Sequence, residues 1–131
     1  MLRKLSIAVL ATFFILAGIN HFHRPAMYLA LMPPYLPFPE VLNLISGAAE
    51  IAGGTGVLMR PLRRSAGWGL IVLLIAILPA NLQMALHGLP GVNIAPWILW
   101  LRLPFQLVLI AWVYWTCIAV RRDSTEAQRA T

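Results

Sequence analysis

The chain has 131 residues, of which 60% are hydrophobic and only 11% charged, and its mean hydropathy is +0.80. A soluble domain is roughly half apolar and a quarter charged, and one this small cannot hide so many large apolar side chains. A soluble fold is all but excluded, and the lipid bilayer is the apolar solvent the composition asks for.

The net charge of +6 does not gather on one face, so it gives no nucleic-acid footprint and no nucleic-acid partner is expected. Arg3 and Lys4 precede the first apolar run, Arg60, Arg63 and Arg64 separate the second from the third, and Arg121 and Arg122 follow the fourth. Under the positive-inside rule all three clusters, and with them both termini, are cytoplasmic. What remains for these charges is attraction to anionic headgroups, which anchors the chain without giving it a specific function.

The first apolar run predicts a helix over residues 5–22, closing in the polar sequence Asn20, His21, Phe22, His23. Its basic start fits a signal peptide. The stretch Leu16-Ala17-Gly18-Ile19 nevertheless lacks the pair of small residues that cleavage wants, so a retained helix is expected. Residues 24–40 hold Pro25, Pro33, Pro34, Pro37 and Pro39, half of the chain's ten prolines, and no continuous helix can cross them. This stretch is predicted to lie in the outer interface, starting as a short helix on Pro25 and then extending. There Tyr28, Met32 and Tyr35 would lid a cavity.

The second span, residues 41–59, carries Ser46, Gly47, Ala48, Ala49, Gly53, Gly54 and Gly56, small residues that let another helix approach closely and predict a central position. The third, residues 66–86, contains Pro79, and the fourth, residues 96–120, contains Pro104. Each proline deprives a carbonyl, that of Ile75 or Trp100, of its helical donor. The expectation is an all-α integral membrane four-helix bundle over residues 1–122, followed by a polar cytoplasmic tail over residues 123–131 without an apolar face to bury. Cys117, the single cysteine, reads as a small buried hydrophobe.

Ionisable and amide groups inside spans are expensive, which makes each a candidate for a site. At a rise of 1.5 Å per residue, Glu50 lies roughly 15 Å and Asn81 about 8 Å from the outer ends of their helices. Asn20 and His21 end the first span, while Arg102 and Gln106 share a face at i, i+4. All six fall in the outer half. They predict an outward-opening cavity with Glu50 and Arg102 as its charged pair. A purely structural network holding four helices in register reads the same from sequence, and both readings stay open. His21, His23 and His87 allow a copper, zinc or haem site to be drawn. Two histidines in a His-x-His pair on a helix point nearly opposite ways, however, and no metal site or haem is expected. Trp97, Trp100, Trp112 and Trp115 read as interface belts or lipid-facing bulk.

The run Ala17-Gly18-Ile19-Asn20-His21-Phe22 with Pro25 and Tyr28, then Met32-Pro33-Pro34, Leu36-Pro37 and Ser46-Gly47-Ala48-Ala49-Glu50-Ile51, resembles the DoxX-like family of small bacterial membrane proteins. Pro79-Ala80-Asn81 with Met84-Ala85, and Leu101-Arg102-Leu103-Pro104 with Gln106, resemble its later segments. The resemblance implies a compact four-helix fold in a bacterial inner membrane and an association with redox complexes that handle thiols or quinones. Its recurring polar positions fall at Asn20, His21, Glu50, Asn81, Arg102 and Gln106, without a catalytic role to carry over.

Three functions compete. The first is a subunit or accessory of a membrane redox system that binds a quinone or similar lipophilic molecule in the outer cavity; a redox partner protein would supply its electron donor. The second is a non-enzymatic scaffold or assembly factor, with the glycine face of the second span and exposed aromatics meeting a partner subunit. A channel or transporter comes third, since one acid and one base give little pathway unless a homo-oligomer supplies more.

Overall fold

Proline opens three of the helices. Pro25, Pro39 and Pro96 each stand at the start of a helix, where the missing N–H has no partner to lose and the ring presets φ. In the computed structural model, which describes residues 1–89, 91, 93–119 and 129–130, the helices are α1 (Leu2–His23), α2 (Pro25–Leu31), α3 (Pro39–Leu58), α4 (Arg63–His87) and α5 (Pro96–Tyr114). α5 runs on into a π-helical turn over Trp115–Ala119. Arg121, Arg122 and residues 123–128 lie outside the described residues, and so does the expectation about the tail they form.

Four helices, α1, α3, α4 and α5 with its π turn, are long and apolar enough to cross a membrane. Their lengths of 22, 20, 25 and 24 residues suit a multi-pass membrane protein, because ~20 residues span the hydrocarbon. α1, α3 and α4 begin at Leu2, Pro39 and Arg63 rather than at residues 5, 41 and 66. The helical backbone continues past the apolar pattern because charged side chains such as Arg3, Lys4 and Arg64 can reach outward while their stems stay on apolar surface.

In lipid the helices gain nothing from leaving water, so close van der Waals packing must hold them. The glycines of α1 and α3 permit it. A methyl group at Gly18 would sit 2.7 Å from the Gly47 carbonyl oxygen and 2.9 Å from the Ile51 nitrogen, and one at Gly54 would sit 2.9 Å from the Ala11 carbonyl oxygen. Those are backbone atoms, so the two helices touch main chain to main chain. α3 also packs on α4, where Leu70 covers Gly53 and Ala66 covers Gly56. α4 packs in turn on α5, and the π turn closes the bundle against α4 and α1. The small-residue face of α3 thus serves two neighbours, as its sequence predicts. Leu10, Phe14, Val57, Leu70 and Val113 fill the middle of the bundle.

A polar tie that the sequence reading missed joins the two ends of the chain. Trp112 donates its indole N–H to Ser6 Oγ at 2.7 Å, and the Ser6 and Thr116 hydroxyls lie 2.9 Å apart. Trp112 therefore has a bonding role beside its bulk. The π turn widens the helix by one residue where Thr116 and Cys117 meet α1 and α4. At the other end of the bundle, Phe38 precedes α3 in the left-handed region, with φ 50 and ψ 57. A bulky residue rarely adopts it, which marks the turn between the proline-rich segment and α3 as strained.

Candidate functional site

Asn43, Gly47 and Glu50 are spaced by four and three residues on α3, so they share one face. Gly47 leaves that face hollow, and His21 of α1 fills the hollow; a methyl group at Gly47 would lie 2.7 Å from His21 Cβ. His21 is thereby held between Asn43 and Glu50, and all three are buried. Asn43 Nδ2 donates to the His21 carbonyl at 3.1 Å, which turns the amide oxygen to accept from His21 Nδ1–H at 2.7 Å. Nε2 then faces Glu50 Oε2 at 3.4 Å.

That contact is short enough for an ion pair but is not aligned as a hydrogen bond, and Oε2 is buried without a donor. With Nδ1 carrying its proton, Nε2 presents a lone pair unless a second proton is present. Asn43 was not among the residues singled out from sequence; its position one turn before Gly47, on the face of Glu50, was the available signal.

The expected Glu50–Arg102 pair does not form. Among the described residues the ion-pair contact of Glu50 is to His21. α3 packs on α1 and α4, whereas Arg102 comes from α5, which packs on α4. Arg102 is exposed, and its Nη1 donates to the Met84 thioether at 3.2 Å, a weak acceptor that leaves the guanidinium with donors to spare.

Asn81 and Gln106 do meet. Asn81 Nδ2 donates to Gln106 Oε1 at 2.8 Å, and Gln106 Nε2 donates to the Leu74 carbonyl. The donor thus arrives one residue before the Ile75 carbonyl that Pro79 was expected to strand, within the same stretch of α4. Gln106 is buried, so Gln106→Leu takes the acceptor from Asn81 Nδ2 and the side-chain donor from the Leu74 carbonyl. We expect this variant to lose about 2 kcal/mol of stability, read as a lower melting temperature in mild detergent; an unchanged melting temperature would mean that water satisfies both groups.

These residues surround one cavity of about 400 Å³, whose polar wall is His21, Tyr28, Ser46, Glu50, Asn81 and Gln106, with Arg102 at its edge. The rest of the lining is aliphatic or aromatic, including Phe13, Leu36, Leu42, Ile77 and Phe105. A mostly apolar wall with a few convergent polar groups is the usual build of a small-molecule site. Of the expected lid residues, Tyr28 and Met32 line the cavity, while Tyr35 is 70% exposed and stands outside it. Tyr28 stacks on His21 with ring centroids 3.7 Å apart, and Asn20 donates to its hydroxyl at 2.9 Å. Asn20 therefore acts one layer out, holding the lid over the histidine. His23 and His87 are exposed, and His87 Nδ1 lies 3.3 Å from the Gln83 carbonyl of its own helix.

A family model described as a domain of unknown function, DUF8561, matches residues 10–117. The chain belongs to the DUF8561 family. That match takes in every polar residue of the cavity and leaves Arg3 and Lys4 outside it. No curated protein and no solved structure matches the chain.

Proposed function

We propose that this DUF8561 protein binds a small lipophilic molecule with a polar head in the cavity between α1, α3, α4 and α5, as a subunit or accessory of a membrane redox system. The observation that carries this reading is Glu50, whose side chain lines the cavity and whose Oε2 is buried without a donor among the described residues. An unpaired buried group of this kind is expensive, and a ligand hydroxyl would satisfy it. Across the cavity the guanidinium of Arg102 has donors free for a carbonyl. A quinone and its hydroquinone offer both groups on an apolar ring, and their electrons would pass through a partner protein. The resemblance to the DoxX-like family supports the same class. With the arginine-rich end cytoplasmic by the positive-inside rule, the cavity opens to the outer leaflet of a bacterial inner membrane.

One observation favours the second reading, a scaffold or assembly factor. Asn81, Gln106 and the Leu74 carbonyl satisfy one another, as His21 and Asn43 do, without any ligand. The deciding experiment is purification from native membranes in mild detergent, with a reduced-minus-oxidised absorption spectrum and mass spectrometry of the organic extract. Ala80 lines the cavity, whereas Ala52 is exposed on α3 away from it. We expect one lipophilic compound per chain, lost in Ala80→Phe and retained in Ala52→Phe. An empty extract, or a compound that Ala80→Phe retains in full, would leave the scaffold reading standing.

A further inference from the structure

At the end of the bundle opposite the cavity, Arg3 and Lys4 of α1 meet Arg60 from the turn between α3 and α4, and Arg63 and Arg64 from the start of α4, around a second pocket, of about 520 Å³. Five of the chain's ten basic residues thus face one concavity. Its lining holds no carboxylate among the described residues. The positive-inside rule accounts for basic residues at this end of the helices, but it does not ask them to converge. Convergence sets like charges against one another, and only an anion relieves that.

Three details point to a built site. Among the described residues the Nε of Arg3 is buried without a hydrogen-bond partner. Arg63 is fixed in the wall, its Nε donating to the Val57 carbonyl at 2.7 Å and its Nη2 to the Leu58 carbonyl at 3.3 Å, so it closes the end of α3 while its charge stays at the pocket. Finally, α1 and α4 both begin here, at Leu2 and Arg63, and their amino ends add partial positive charge. Guanidinium groups suit phosphate oxygens because their planar donor forks bind two oxygens at once.

We propose that this pocket is a phosphate site, taking the headgroup of an anionic phospholipid or a free phosphate ester. Leu5 and Leu62, next in sequence to the lining residues Lys4 and Arg63, are exposed and would carry acyl chains, which a free ester lacks. The site is separate from the lipophilic cavity and stands or falls without it.

The test is native mass spectrometry of the full chain in detergent, titrated with short-chain phosphatidylglycerol, phosphatidylcholine of equal chain length, and glycerol phosphate. One phosphatidylglycerol per chain is expected, bound at least ten-fold more tightly than phosphatidylcholine. Arg3→Gln and the exposed Arg60→Gln should each weaken it about five-fold, while Arg24→Gln, at the other end of the bundle, should not. Glycerol phosphate binding as tightly as the lipid would assign the site to a free ester; much weaker binding would assign it to the lipid. Equal affinity for phosphatidylglycerol and phosphatidylcholine, or an Arg60→Gln variant that binds like the parent, would overturn the proposal.

Discussion

Gly18→Leu should separate α1 from α3 and destabilise the protein more than any other single substitution described above. The new side chain would start 2.7 Å from the Gly47 carbonyl oxygen and 2.9 Å from the Ile51 nitrogen, and neither can rotate away because both belong to the α3 backbone. Over-packing a close-packed interior costs 1–3 kcal/mol where side chains can shift, so a loss on the order of 3 kcal/mol or more is expected here. Gly69 supplies the control. It is exposed on α4, with nothing within 4 Å of an added side-chain carbon, so Gly69→Leu should be neutral or gain a few tenths of a kcal/mol from better helix propensity. Thermal unfolding followed by circular dichroism in one detergent reads both. Equal melting temperatures for the two variants would show that α1 and α3 do not cross where the glycines place them.

Glu50→Gln should separate folding from binding. Glutamine keeps the shape of the side chain and turns an oxygen into an amide N–H donor. That donor would face His21 Nε2, whose lone pair is free because Nδ1–H already donates to Asn43. Stability should therefore hold or rise slightly. The ligand, by contrast, loses a charged acceptor. A hydrogen bond to a charged group contributes about 1.5–3 kcal/mol, which corresponds to roughly ten-fold to more than a hundred-fold weaker binding. The purified variant should carry little of the lipophilic compound found with the parent. Retention of the compound together with a fall in melting temperature would mean that Glu50 serves packing alone.

The course of the chain was legible in the sequence because bilayer thickness and proline chemistry act locally. Pro25, Pro39 and Pro96 mark where helices begin, and the apolar runs mark where they cross. Asn81 and Gln106 were legible as polar groups in the outer half of the bundle, but not as partners of one another. Nor was the partner of Glu50 legible. Depth places His21 and Arg102 at comparable levels, and only the order of packing, α1 on α3 and α5 on α4, decides between them. That order depends on which glycine faces interlock, a pairwise property absent from any one helix. The left-handed Phe38 and the π turn escaped for a similar reason, since neither residue type announces the conformation that tertiary packing imposes.

The apolar centre of the bundle has a consequence for the membrane itself. Phe14, Leu74 and Leu109 form the inner wall of the lipophilic cavity, Ile7 and Cys117 line the arginine pocket, and all five belong to one continuous buried cluster. Between them Leu10, Val57, Leu70 and Val113 are at most 1% exposed. This is a dry septum. An ion stepping from one pocket to the other would have to shed its water against aliphatic side chains, at a cost of several kcal/mol. The two hollows therefore do not join: among the described residues the bundle offers no continuous polar path from one to the other.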